Sequence, residues 1–133
     1  MIEVQYIECV NNAAFVMSFG IQILDENTGL ILIVDGLDTG NYPIGQSRRI
    51  NLATIGIEPG TVVRPQVRAV WGVNNPGDEW VRFQPNRFLA KYDVRGTTLS
   101  YTVRRFPEIW LDLRPHDVEV EEVDEREKRT SQV

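Results

Sequence analysis

The stretch AAFVMSFGIQILDENTGLILIV, residues 13–34, decides the fold. From Phe15 to Ile23 every second residue is large and apolar, while Ser18 and Gln22 lie on the opposite phase. Because successive side chains of a strand point to opposite faces, this period of two predicts a β-strand with one buried face. The DENTG sequence at 25–29 predicts a tight turn. The unbroken apolar run Leu30–Val34 then predicts a returning strand that is covered on both faces.

The same texture continues to about Arg105. Short alternating runs are separated by turns rich in Gly, Pro and Asn. A spacing of this kind, with about seven to nine strands, predicts an all-β fold: an antiparallel β-sandwich of jelly-roll or Ig-like type, with a small barrel as the alternative. In the run 61–71 the phase places Val63, Val67 and Trp71 in the core. Pro65 predicts that this strand is bulged or lies at an edge, because proline lacks the ladder donor.

The regular pattern of short alternating runs separated by turns ends after Phe106. We therefore expect residues 1–106 to form a β-sandwich domain and residues 107–133 to form an extended C-terminal arm that ends in an acidic tail. Residues 116–133 hold seven acidic and three basic side chains, so the tail carries most of the net charge of −5. An arm that follows an apparently complete domain is typical of a segment that docks on another subunit.

Length and composition exclude several classes of protein. A chain of 133 residues suits one domain, and no apolar run approaches the roughly 20 residues of a transmembrane helix. The N-terminus lacks the basic and apolar regions of a secretory signal, and the single cysteine, Cys9, forms no intrachain disulfide. We expect a cytoplasmic protein, or one exported without a classical signal peptide, in which Cys9 is a buried, inert thiol.

The catalytic inventory is thin. His116 is the only histidine and lies in the acidic tail, and the sequence contains no nucleophile, P-loop or zinc motif. A zinc site needs several Cys or His ligands. We therefore expect no enzyme, no metal site and no cofactor, with a carboxylate-dependent hydrolase as the minor alternative. The oxygen-rich turns at 25–27 and 74–79 leave calcium binding open without predicting it.

Aromatic and amide side chains in the loops suggest a ligand surface. Trp80 has the opposite phase from its buried neighbours, and Tyr42 lies in a long turn-rich loop, so both are candidate contacts for a sugar ring or a lipid head group. The polar candidates beside Trp80 are Asn74, Asn75 and Asp78. These residues support a carbohydrate- or lipid-binding protein, lectin-like or membrane-associating, as the alternative function.

Arginine dominates the basic residues and suggests a partner interface. The candidate interface residues are Arg64, Arg68, Arg104, Trp110, Leu111 and Leu113. The body is close to neutral, which argues against nucleic acid as the partner. The function predicted first is a non-catalytic binding or assembly module that self-associates, or docks on an assembly partner, through its C-terminal arm.

Overall fold

The protein is an all-β sandwich of two sheets that pack face to face. The computed structural model describes residues 1–114 and 118–124. Within these ranges no α-helix occurs, and one short 3-10 turn, Leu52–Thr54, follows a strand. The predicted sandwich is confirmed, whereas the alternative of a closed barrel is not found, because backbone pairing separates the strands into two sheets.

Eleven strands in the described part of the chain form these two sheets. Sheet A contains six: β1 (Glu3–Val4), β3 (Met17–Leu24), β4 (Ile31–Ile33), β6 (Val62–Ala69), β7 (Asn74–Pro76) and β8 (Val81–Phe83). Sheet B contains five: β2 (Tyr6–Asn11), β5 (Gln46–Asn51), β9 (Phe88–Thr97), β10 (Ser100–Leu111) and β11 (Val120–Asp124).

Neighbouring strands are mostly antiparallel, with two parallel exceptions. Sheet A follows the order β1–β8–β6–β3–β4, with β7 paired to β6, and sheet B follows the order β10–β9–β2–β5–β11. β1 is parallel to β8, and β2 is parallel to β9. The N-terminal segment is divided at Gln5 and contributes to both sheets.

The core lies between the sheets and is built from alternate residues of the strands. Met17, Phe19 and Ile21 of β3 and Val63 and Val67 of β6 are fully buried, which confirms the phase predicted for both strands. Each side chain of this size stabilises the fold by roughly 1.5–3 kcal/mol when it leaves water. These two antiparallel strands therefore form the centre of sheet A.

β6 is a central strand, although Pro65 predicted an edge or a bulge. On one side it pairs with β3, and on the other β8 pairs with residues 62–63 and β7 with residues 66–68. The carbonyl of Pro65 accepts a hydrogen bond from the N–H of Gly77 at 2.8 Å on this second side. The missing donor of Pro65 therefore faces the point where β8 and β7 part, and the ladder with β3 stays intact.

Two sequence predictions about burial are wrong. The run Leu30–Val34 is not covered on both faces, because β4 is an edge strand of sheet A and its side chains are exposed. Trp71 does not lie in the core, because the pleat of β6 ends at Ala69 and Trp71 occupies the following turn with a φ of 63°. Alternation is a local pattern, whereas edge position and turns depend on pairing with distant strands.

The segment predicted as a C-terminal arm contributes to sheet B. β10 continues through residues 106 and 107 and pairs with β9 as far as Leu111. β11 pairs antiparallel with β5, with Glu121 opposite Arg49. The part of residues 107–133 that the structure describes is thus bonded to its own chain.

Cys9 is fully buried on the inner face of β2, as predicted. Burial, and then the negative charge of Glu8, raise the pKa of the thiol well above its ordinary value. We therefore expect no reaction of native protein with a thiol reagent such as DTNB at neutral pH, and complete reaction in denaturant, measured by absorbance. Fast labelling of the native protein would contradict this burial.

Candidate functional site

Charged side chains form a buried cluster on the outer face of sheet B. Glu8 is fully buried on β2, and its neighbours in register are Arg49 on β5 and Lys91 on β9. Arg49 donates from Nε and Nη2 to Oε1 of Glu8 at 3.1 and 3.0 Å, and Nζ of Lys91 lies 3.6 Å from Oε2 of Glu8. Asp112, just after β10, accepts a hydrogen bond from Nη1 of Arg49.

Arg114 and Glu121 extend this charge cluster. Nε of Arg114 lies 3.3 Å from Oδ1 of Asp112, and its Nη2 lies 3.7 Å from Oε1 of Glu121. Burial favours a higher pKa for Asp112, but hydrogen bonds from the side chain and backbone of Arg114, with the charge of Arg49, hold that pKa below its ordinary value. The paired charges hold β11 and the segment after β10 against the sheet, so the role of the cluster is structural.

The structure also bears on metal and ligand sites. Among residues 1–114 and 118–124, no group of three or more His, Cys, Asp or Glu side chains is placed to hold a metal ion. A surface pocket of about 290 Å³ is lined in part by Asp35, Ile55 and Glu119. Within the same ranges, no helix is both long and apolar enough to span a bilayer. His116 lies outside the described residues.

The two aromatic residues predicted as ligand contacts differ in their exposure to solvent. Tyr42 is fully buried; its hydroxyl donates to the carbonyl of Cys9 at 2.9 Å, and the guanidinium of Arg48 lies 4.6 Å from its ring centre. Tyr42 therefore does not reach a ligand from solvent, which corrects the sequence prediction. Trp80 is half-buried beneath the guanidinium of Arg64, which lies 4.1 Å from its ring centre.

The polar residues predicted beside Trp80 mainly brace the backbone. Nδ2 of Asn75 donates to the carbonyl of Tyr101 at 3.0 Å, and Oδ1 of Asp78 accepts the backbone N–H of Arg105 at 2.9 Å. Both bonds join β7 and the loop after it to β10. Asn74 is exposed at the start of β7. These side chains fasten one corner of the sandwich, where sheet A meets sheet B.

The residues predicted for a partner interface are divided between the two sheets. Arg64 and Arg68 lie on β6 in sheet A, where Nη1 of Arg68 is 2.9 Å from Oδ2 of Asp38. Arg104 is exposed on β10 in sheet B. The others belong to the end of β10 and the segment after it: half-buried Trp110 and exposed Leu111 and Leu113. These residues therefore do not share one sheet face.

Two exposed apolar surfaces were not assigned to a site by the sequence. We name the first the β4 edge, formed by the consecutive exposed residues Leu30–Ile33. We name the second the loop tip, formed by Val16, Trp71, Val73 and Leu99 on three neighbouring loops. The sequence shows the unbroken apolar run that forms the β4 edge, but it does not show that these side chains are exposed. The loop tip gave no signal, because Trp71 shares the phase of the core residues before it.

Comparison with known proteins gives no family. No protein-family model matches the sequence, and no curated protein matches it. A solved structure described as "Crystal Structure of Gram Negative Toxin" is similar over 77% of this chain, with 19% sequence identity and a TM-score of 0.39. This chain spans 22% of that one. A likeness this weak carries no argument about function.

The charge cluster predicts that removing one buried charge lowers the stability of the fold strongly. Glu8→Gln keeps the size of the side chain but removes the buried carboxylate that Arg49 and Lys91 share, while Asp112 still pairs with Arg49. We therefore expect a loss of about 3 kcal/mol in the free energy of unfolding in urea. Glu26→Gln is the matched control, because its ion pair with Arg82 is solvent-exposed at 2.9 Å and should contribute little. Equal stability of the two variants would contradict a structural role for the cluster.

Proposed function

We propose that this protein is a non-catalytic β-sandwich module that assembles with a second copy of itself through the β4 edge. The observation that carries the proposal is a sheet edge with four consecutive apolar side chains, Leu30–Ile33, each 48–60% exposed. Exposed, flat and apolar edge strands are templates for pairing with another strand. A strand from a second copy would extend sheet A and remove these side chains from water.

The backbone of the β4 edge supports strand pairing directly. The carbonyl of Leu30 accepts from Asp25, and the N–H of Val34 donates to Ile21, so Leu30 and Val34 direct their backbone groups toward β3. Because these directions alternate along an antiparallel strand, the N–H and C=O groups of Ile31 and Ile33 point away from sheet A. They are the groups that a second strand would bind.

A two-fold axis at Leu32 makes the edge self-complementary. Antiparallel pairing of two copies about this axis places Leu32 opposite its own counterpart and lets Ile31 of each copy exchange hydrogen bonds with Ile33 of the other. In this register Asp35 lies opposite Gly29, so within residues 29–35 no two carboxylates oppose each other. Apolar side chains thus meet apolar side chains along the whole contact.

The other edges of the two sheets carry features that discourage pairing. β1 has only two residues, and β10 has a register shift and contains Pro107. β11 carries Glu121 and Glu122. Short length, irregularity, proline and charge are the usual protections of edge strands. β4 is short, with three residues, but it has no register shift, no proline and no charged side chain. The described part of the C-terminal arm already bonds to β5, so the β4 edge is the better candidate for a subunit contact than the arm.

Charge at the β4 edge should dissolve the assembly. We expect wild-type protein to sediment as a dimer and Ile33→Lys to sediment as a monomer in analytical ultracentrifugation, because lysine on an edge strand opposes pairing. Ile44→Lys is the matched control, since Ile44 is equally apolar and 62% exposed in a loop away from β4, and it should remain dimeric. A wild-type monomer, or a dimer that survives Ile33→Lys, would refute the proposal.

The proposed register makes a sharper prediction at Leu32. Directly opposed residues of a non-hydrogen-bonded antiparallel pair lie about 4.5 Å apart between Cα atoms, within the range of a disulfide. We expect Leu32→Cys to form a covalent dimer on mild oxidation, seen on a non-reducing gel, since the native Cys9 is buried. Ile44→Cys should stay largely monomeric on the same gel. Equal crosslinking of both variants would argue against this register.

A further inference from the structure

The loop tip places large apolar side chains at the end of the sandwich, well away from the β4 edge. Trp71 is 96% exposed and Leu99 72% exposed, and Val16 and Val73 are each exposed to about two-fifths. Near-complete exposure of an indole means that almost no neighbouring atoms surround it, so Trp71 projects from a convex surface. Exposure of several large apolar side chains on adjoining loops marks an interaction surface.

Backbone contacts hold the three loops of the tip together. The N–H of Val70 donates to the carbonyl of Val16 at 2.9 Å, and the N–H of Val73 donates to the carbonyl of Thr98 at 3.0 Å. Gly72 packs so closely against Thr98 that a Cβ atom at this position would overlap the carbonyl oxygen of Thr98. The chain thus fixes the backbone of these loops while leaving their apolar side chains in water.

Trp71 is held in an unfavourable backbone conformation. Its φ of 63° is left-handed, which is costly for a residue with a Cβ and is normally taken by glycine. Glycine would satisfy the turn and would remove an exposed apolar side chain. The presence of tryptophan at this position therefore does not serve stability, which points to a role for the indole outside the fold.

The charge pattern around the tip bears on the kind of partner that it fits. The three loops, residues 13–16, 70–73 and 97–99, contain no charged side chain. Arg95 is the charged residue of β9 that is nearest to the tip. From the rise per residue of a strand, it lies roughly 10 Å from Leu99. Its Nε lies 2.6 Å from Oδ2 of Asp93. On β6 the nearest charged residue is Arg68, whose Nη1 lies 2.9 Å from Oδ2 of Asp38, so the nearest charge on each of these strands is paired. An uncharged apolar end with a charged pair behind it matches the profile of a bilayer interface.

We infer that the loop tip inserts Trp71 and Leu99 into the interfacial layer of a lipid bilayer. Tryptophan prefers this layer because its ring is apolar and its N–H finds polar partners there. The absence of charge on the three loops favours this layer over a protein partner, because protein interfaces surround a buried aromatic side chain with a polar rim. The inference is independent of the β4 edge, because it depends on other loops and holds for a monomer.

Vesicle binding of full-length protein tests the inference. We expect wild-type protein to float with vesicles of phosphatidylcholine alone, and phosphatidylserine to give no large increase, because the tip is uncharged. Bound protein should show a blue shift of tryptophan emission and quenching by lipids brominated on their acyl chains. Trp71→Gly should weaken binding about tenfold or more and abolish this quenching.

Two controls separate lost binding from lost folding. Trp80→Phe changes a half-buried indole away from the tip and should bind like wild type, while Trp71→Gly should unfold at or above the wild-type temperature because glycine fits its φ. Leu99→Ser is a second tip variant and should also weaken binding. If wild-type protein binds neither vesicle, or if Trp71→Gly and Leu99→Ser both bind as tightly as wild type, the inference is overturned and the tip is left as a protein contact.

Discussion

Every edge of a β-sheet leaves a row of backbone donors and acceptors without a sheet partner, and this constraint organises the molecule. A sandwich of two open sheets cannot avoid edges, so each edge needs a feature that prevents pairing with another chain or a partner strand that completes it. Here one edge is shortened to two residues, another is irregular, and a third carries acidic side chains. The β4 edge is also short, with three residues, but it carries neither charge nor irregularity, and its exposed apolar side chains are the basis of the proposed pairing with a second copy.

On the outer face of sheet B, a buried charge rather than an exposed apolar side chain has to be compensated. The residues of β2 that alternate with core-facing Ile7 and Cys9 must point outward, and at the sheet centre that position is held by Glu8. A carboxylate that is fully buried is tolerated only with charged partners. Arg49 and Lys91 supply these partners on both neighbouring strands, and Asp112 and Arg114 connect the end of β10 to them. The described part of the predicted arm is therefore held by these ion pairs together with the backbone pairing of β10 and β11 and the packing of Val120 against the core.

The two proposed surfaces have different geometries and face different directions. The β4 edge runs along a strand, whereas the loop tip lies at the end of the strands where β6 stops and β9 turns into β10. Two-fold pairing of antiparallel edge strands reverses the strand direction of the second copy. The two tips of such a dimer would point in opposite directions, so each copy would present its own tip to a separate surface.

The sequence by itself determined the fold class and the core of the long strands, because period-two alternation is a property of the pleat and needs no knowledge of neighbours. It also determined that Cys9 is buried. Only the tertiary structure decided that Leu30–Val34 lies at an edge, that Tyr42 is buried under Arg48, and that Trp71 leaves the pleat. Each of these depends on which distant strands pair and where a turn reverses φ. The candidate surfaces could not be read from the chain because apolar residues look alike in sequence whether a neighbouring strand covers them or leaves them in water.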